Sequence, residues 1–329
     1  MRRRAFMTTV ASALTMPLAG LRAQGKRDPR RVAILMGSAP TLNDIEARLA
    51  ALRQELSKLG WNEGQNLQLD IRHAEGEPLR MRGQAKELLA LKPDLVIAHS
   101  PQVLEVVRAA AGTAPIVFVQ VPFPVEMGFV KSLSHPGANI TGVTIFEADI
   151  AGKWLEILTE IAPRTERVLV LHNSTNNSHR QFNAVLSTTA PRRRVALTHV
   201  DVTTMDQVEP KLAAFAAQPG GAVLLLPDLS TSVNRHRLRS PIERHRLPAI
   251  FPFRYFAEEG GLVSYSPELK WMWSKAAFYV DRILRGTHPS ELPVEAPNVF
   301  TLIINLKAAA ALSIEVPPMM LARADEVIE

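Results

Sequence analysis

Residues 31–59, RVAILMGSAPTLNDIEARLAALRQELSKL, hold one complete strand-and-helix unit, and the rest of the chain repeats it. Val32 to Met36 is apolar at every position, as in a strand covered on both faces rather than one. Leu42 to Leu59 then places Leu42, Ile45, Leu49, Leu52, Leu56 and Leu59 at helical spacing, which predicts one buried helical stripe. A doubly buried strand returned by an amphipathic helix is the building block of a parallel sheet, because each parallel crossover needs such a connection.

Working outward, further strands are predicted at Leu67–Ile71, Leu95–Ala98, Ile116–Val121 and Ile140–Ile145, separated by helices near 79–91, 101–111 and 125–133. A second series starts with a helix over Ile150–Ile161. Strands follow at Val168–Leu171, Val195–Val200, Ala222–Leu226 and Ala249–Pro252, with helices near 181–186, 208–217 and 233–246. The tail adds strands at Leu262–Tyr265 and Phe300–Ile304, a helix over Trp271–Leu284 and another over Leu306–Leu312. Two open α/β sheets in tandem predict an α/β protein of two lobes with parallel sheets and a cleft between them. A tail that returns to both lobes makes the chain cross the cleft several times, and those crossings form a hinge. The expected division is an export signal over 1–23, one lobe from 30–146 plus 254–297, and a second from 147–253 plus 298–329.

The N-terminus places the protein outside the cytoplasm. Arg2, Arg3 and Arg4 precede a modestly apolar stretch to Leu21, and small Ala23 stands where a signal peptidase would cut. Arg3-Arg4-Ala5-Phe6 also fits the twin-arginine variant, and Thr8, Thr9, Ser12 and Thr15 dilute the apolar core as that route prefers. The formal net charge of the whole chain is +6, but residues 1–23 hold four arginines and no acid, leaving about +2 on the remainder. That balance gives no reason to expect nucleic acid, which would need a basic stripe interleaved with aromatics. The cationic run Arg235 to Arg246 reads instead as a solvated helix face. The absence of cysteine excludes disulfides, thiolate metal sites, a Cys nucleophile and a lipidated N-terminal cysteine. No stretch beyond the signal is long and apolar enough to span a bilayer, so no membrane insertion of the mature chain is expected.

Catalytic signatures are missing: there is no G-x-S-x-G, H-E-x-x-H or P-loop, and the first strand ends in Gly37-Ser38-Ala39-Pro40 rather than G-x-G-x-x-G. No enzyme, cofactor or metal is expected. Open α/β sheets bind ligands beyond the carboxyl ends of their strands, which directs attention to the residues just after each strand. The first series offers Ser38, then His99, Ser100, Pro101 and Gln102, then Pro122 and Phe123, then Thr144 and Phe146. Ser100 and Pro101 suit the N-cap and first position of a helix whose free N–H groups would face an anion such as a carboxylate. The second series offers Asn173, Asp228, Phe253 and, after a later strand, Tyr265. Hydroxyls, amides and rings with one acid describe a recognition pocket better than an active site. In this scheme Ser100 and Thr144 donate hydrogen bonds, and Phe123 and Phe253 are stacking walls. Asp228 either accepts from a polar ligand group or caps the helix after it.

Gly60-Trp61-Asn62-Glu63-Gly64-Gln65-Asn66-Leu67, Pro136-Gly137-Ala138-Asn139-Ile140-Thr141-Gly142 and Gly260-Gly261-Leu262-Val263-Ser264-Tyr265 resemble bacterial ABC-transporter substrate-binding proteins related to the tryptophan/tyrosine-uptake type. The closing stretch from Leu292-Pro293-Val294-Glu295 to Asp325-Glu326-Val327-Ile328 is its most specific part. The resemblance implies a type I periplasmic-binding-protein fold, with two Rossmann-like lobes joined by a three-crossover hinge, and a periplasmic receptor that holds a small molecule in the cleft and delivers it to an ABC permease in the inner membrane; a monomer is expected. Where relatives have Gly-Thr-Pro this chain has His99-Ser100-Pro101, and where they have Asp-Pro-Val it has Phe123-Pro124-Val125. Loss of that carboxylate removes a partner for a ligand amine and favours an aromatic or carboxylate-bearing compound. A ligand-sensing protein that signals to a membrane receptor, or an exported hydrolase, are the alternatives.

Overall fold

The computed structural model describes residues 28–40 and 44–329; the export signal expected over 1–23 lies outside the described residues. The first lobe runs β1 (Arg30–Met36), α1 (Ile45–Lys58), β2 (Leu67–His73), α2 (Pro78–Ala90), β3 (Leu95–His99), α3 (Pro101–Ala110), β4 (Ile116–Val119) and β5 (Ile140–Val143). Its five strands are parallel in the order β2-β1-β3-β4-β5. In β1, Val32, Ile34 and Met36 join the core that includes Leu49, Leu52 and Leu56 of α1. Ala33 and Leu35 face the other way, into the core that includes Met81, Ala85 and Leu88 of α2. The uniformly apolar run is thus explained by helices on both faces.

The second lobe follows as α4 (Ile150–Ile161), β6 (Arg167–His172), α5 (His179–Thr189), β7 (Ala196–Asp201), α6 (Val208–Ala216), β8 (Gly221–Leu225), α7 (Leu229–Val233), α8 (Arg235–Arg244), β9 (Ala249–Phe251), α9 (Arg254–Glu258) and β10 (Val263–Pro267). The chain then returns to the first lobe as α10 (Leu269–Leu284), which packs on α1 and against β4 and β5. It finishes in the second lobe with β11 (Phe300–Asn305), α11 (Leu306–Ala311), α12 (Pro318–Arg323) and β12 (Glu326–Ile328). The second sheet has the order β12-β11-β10-β9-β8-β6-β7, with only β10 and β11 antiparallel. Its first five strands in sequence, β7-β6-β8-β9-β10, repeat the order of the first sheet. Each lobe therefore reverses strand order once, at β1/β3 and at β6/β8, and ligands of such sheets bind at that reversal.

Two expectations need correction. Residues 254–267 belong to the second lobe, because β10 pairs with β9 on one side and β11 on the other. The middle crossing therefore falls at Glu268, not before residue 254. Residues 125–133 form turns rather than a helix: the Phe129 and Val130 amides both return to the Pro124 carbonyl, and Gly128 at φ +71° stops any helical turn. The first and third crossings run side by side, with Thr144 N bonded to Glu295 O at 2.9 Å and Thr141 Oγ1 to Leu292 O at 2.6 Å. Glycine is required at 142, where φ is +154° and a Cβ would lie 2.1 Å from the Phe118 carbonyl oxygen. Among the described residues no helix is long and apolar enough to cross a membrane.

Candidate functional site

The reversal points of the two sheets face each other across the cleft. A cavity of about 60 Å³ lies between them, with Ser38, Arg48, His99, Ser100, Gln102, Gln120 and Pro122 on the first-lobe side. Phe146, Asn176, Asp228, Ser232, Phe253 and Tyr255 close it from the crossing and the second lobe. Gln102 Nε2 donates to Asp228 Oδ2 at 3.0 Å, bridging the lobes directly. Both residues also border a groove of about 280 Å³ that includes Gly76, Thr175 and Asn177, so their bond separates the inner cavity from this outer groove.

On the first-lobe side the residues form a chain of hydrogen bonds. The Gly37 N–H donates to His99 Nδ1 at 3.3 Å, so the ring proton sits on Nε2 and donates to Gln120 Oε1 at 3.1 Å. Arg48 Nη1 at 3.2 Å and Trp273 Nε1 at 3.3 Å donate to the same oxygen. Burial, aided by the neighbouring Arg48 charge, lowers the His99 pKa to about 3, which keeps the ring neutral. Arg48 is 4% exposed and also paired with Asp44. Ser38 Oγ, Arg48 Nε and Gln102 Oε1 are buried without a partner among the described residues. The backbone is strained along the same edge, with positive φ at Ser100 (+88°), Gln120 (+63°) and Phe123 (+50°). Ser100 caps α3 as the sequence indicates, its Oγ accepting from Val103 N at 3.4 Å.

The second-lobe side is saturated. Asp228, 6% exposed, accepts from Asn173 Nδ2 at 3.0 Å, Asn176 Nδ2 at 2.7 Å, Ser230 N at 2.8 Å and Ser230 Oγ at 2.5 Å, besides Gln102. With Thr231 it forms a capping box on α7. Burial acts to raise its pKa, but the bonds from Asn173 and Ser230 outweigh that and hold it below the usual carboxylate range. His179 is also neutral, its Nδ1 accepting from Asn173 N at 3.1 Å and its Nε2–H donating to Pro227 O at 3.0 Å. Burial is the main reason its pKa is lowered. Phe253 stacks on Tyr255 with centroids 5.4 Å apart, and Tyr255 donates its hydroxyl to Ser232 Oγ at 2.9 Å.

The structure therefore brings together Ser38, His99, Ser100, Pro101, Gln102, Pro122, Phe146, Asp228 and Phe253, and sets four expected residues apart. Phe123 packs edge-on against Phe182 at 4.9 Å and lines a separate cavity beside the first crossing. Thr144 gives its hydroxyl to Val121 O at 2.7 Å, a hinge contact. Asn173 stands behind Asp228 and borders the outer groove. Tyr265 lies inside β10, which runs two residues beyond it, and stacks on Phe300. Arg48, Gln120, Asn176, Ser232 and Tyr255 are the polar lining residues not anticipated. Among the described residues no group of three or more His, Cys, Asp or Glu side chains could hold a metal. The arginines of α8 are largely matched by acids, Arg235 with Glu259, Arg237 with Asp206, Arg239 with Glu243 and Arg244 with Glu209.

Two mainly parallel α/β lobes that clasp a polar and aromatic cavity, linked by three crossings, define a two-lobed solute-binding protein. Residues 41–328 match the family model described as ABC transporter substrate binding protein, and the chain belongs to that family, whose members are binding proteins rather than enzymes. It is 23% identical over 262 residues to the tyrosine-binding protein of Clostridioides difficile, covering 79% of this chain and 74% of that one. Among solved structures it is similar to an ABC domain from Streptococcus pneumoniae in complex with L-Trp, with a TM-score of 0.84, 19% identity and 92% and 100% of the two chains covered. A periplasmic binding protein/LacI transcriptional regulator from Alkaliphilus metalliredigens, complexed with D-xylulofuranose, shares the fold at a TM-score of 0.56, 8% identity and coverage of 83% and 97%.

Proposed function

We propose that this chain is an exported receptor that captures a small aromatic or carboxylate-bearing compound between its lobes and delivers it to an ABC permease in the inner membrane. The observation that carries this reading is the cavity itself, whose walls come from both lobes. A ligand touching Ser38 and Ser100 on one side and Phe253 and Tyr255 on the other makes contacts available only when the lobes are closed. Ligand then shifts the population toward the closed form, which a permease can distinguish from the open one. The arginine-rich N-terminus supplies the route out of the cytoplasm.

A second reading narrows the ligand to an aromatic α-amino acid, in keeping with the tyrosine and L-Trp named for the two relatives. The observation favouring it is acceptor capacity beside the aromatic wall: Gln102 Oε1 lacks a donor, and an ammonium group could replace Gln102 Nε2 on Asp228.

The test is thermal unfolding of residues 24–329 against aromatic acids, aromatic amino acids, short carboxylates, sugars and nucleosides. A ligand at about 100 times its Kd adds about 2.7 kcal/mol, so a shift of several degrees from one chemical class is expected. Silence across the panel, together with no co-purified small molecule in the mass spectrum of the denatured protein, would sink the receptor reading.

A further inference from the structure

Several residues that line the cavity carry a buried polar atom with no partner among the described residues. Arg48 lines the cavity from within α1, and its five N–H groups are only partly used: one nitrogen meets Asp44, one meets Gln120, and the buried Nε–H has no acceptor among the described residues. A buried guanidinium with an idle donor costs stability unless something else completes it. Ser38 Oγ, 2% exposed, is in the same condition. Close by begins the ten-residue α3, where a Cβ on Gly37 would lie 3.1 Å from Ser100 Oγ. Its Gln102 N–H lies in the first turn and has no intrahelical acceptor, while the helix presents its positive end. Gln120 Oε1 receives three donors, which turns its Nε2 away from them, and that amide has no acceptor among the described residues.

We propose that Arg48, Ser38 and the first turn of α3 form an anion pole that takes the carboxylate of the transported compound. The assignment rests on the receptor reading above and holds whether or not that compound also carries an amine. Charge and donors together limit the class. Asp44 offsets the Arg48 charge and Asp228 adds a negative charge on the opposite wall, so no net positive charge is left for a phosphate dianion, and a carboxylate is held by the idle donors of Arg48, Ser38 and the α3 terminus. Shape agrees, because a planar carboxylate can accept from the guanidinium and from a hydroxyl or backbone N–H at once. Asp228 repels the same group, which orients the ligand with its apolar body toward Phe146, Phe253 and Tyr255.

Matched pairs of ligands test this. Residues 24–329 are titrated calorimetrically with 3-phenylpropionate, indole-3-acetate, phenylalanine and tryptophan, and with the primary amide of each. At least one acid should bind, its amide should bind at least about 30-fold more weakly, and Arg48→Gln should erase the difference. Should Arg48→Gln fail to fold, Ser38→Ala removes a hydroxyl with no structural partner. It is expected to weaken the acid about five- to tenfold and leave the amide unaffected. Equal binding of acid and amide, or unchanged affinity for the acid in both variants, overturns the anion pole while leaving the receptor intact. Binding confined to neutral sugars or nucleosides overturns it in the same way. No binding by any compound, with nothing co-purified, overturns the receptor reading and the pole together.

Discussion

The two lobes share one strand order but differ at the edges they turn toward each other. The first-lobe edge carries positive-φ residues that are not glycine, Ser100, Gln120 and Phe123, and three buried polar atoms, on Ser38, Arg48 and Gln102, without partners among the described residues. The facing second-lobe segments, 173–178, 226–234 and 253–255, contain no positive-φ residue, and Asp228 there accepts bonds from four side chains and a backbone N–H. Strain and unmet hydrogen-bonding capacity concentrate where structure is held for something other than its own stability. By this measure the first lobe is built to select, while the second supplies a rigid, satisfied wall that closes over it.

The contrast predicts opposite costs for removing a cleft polar group from each side. Asp228→Ala deletes the cap of α7 and leaves the amides of Asn173 and Asn176 buried without acceptors, so it should destabilise the protein by about 3 kcal/mol or more. Ser38→Ala should raise stability by about 1 kcal/mol, because the buried hydroxyl it removes has no partner among the described residues. Urea unfolding of both ligand-free variants decides the matter. Similar losses would break the comparison.

Between pH 6.5 and 5 a smaller effect comes from the histidine at the first-lobe reversal. His99 is neutral when folded, with a pKa of about 3, whereas the unfolded chain titrates near its ordinary value of 6.5. Below 6.5 the unfolded state binds the proton more readily. The stabilising contribution is therefore complete above pH 6.5 and is lost as the pH falls toward 3, by up to about 1.4 kcal/mol per unit. His99→Gln keeps a donor near Gln120 but cannot titrate, so its stability should fall less steeply between pH 6.5 and 5. Parallel profiles for wild type and variant would show that the acid loss comes from elsewhere, His172, His179 and His199 being the other groups whose depressed pKa gives the same sign in the same window.

Strand-and-helix alternation was legible because burial on both faces leaves β-branched, polar-free runs such as Val168–Leu171 that no surface strand would show. The carboxyl-edge rule found Ser38, Ser100, Gln102 and Asp228 because each directly follows a strand or opens a helix. It missed Arg48, which sits one turn into α1 rather than at a strand end, and which four residues after Asp44 has the local look of a solvated ion pair. It missed Gln120 because the expected strand ran on to Val121, whereas β4 ends at Val119 and leaves Gln120 just past its carboxyl end. Ser232 and Tyr255 lie within helices, beyond the first residue after a strand. Tyr265 was misplaced for the converse reason: pairing with Phe300–Leu302 of β11 extends β10 through Ser266 and Pro267, and no local pattern reports that partner. Lobe membership of 254–267 failed likewise, since it depends on which strand β10 lies beside.

Ser100 isolates the smallest effect, because there strain and function act on one residue. Its φ of +88° and ψ of 158° fall in a region open to glycine and costly for other residues by about 1–3 kcal/mol. Against that, glycine adds unfolded-state entropy worth about 0.4–1 kcal/mol, and it forfeits a cap whose 3.4 Å bond to Val103 is long. Ser100→Gly should therefore raise stability by about 1 kcal/mol in urea unfolding while weakening whatever ligand the cleft holds, because the hydroxyl at the α3 terminus is gone. A variant more stable and less able to bind would mean that the serine is kept at a structural cost for recognition. Destabilisation by 1 kcal/mol or more would make the hydroxyl a structural cap, and the first-lobe edge would then resemble the second more than its strained backbone and unpaired groups suggest.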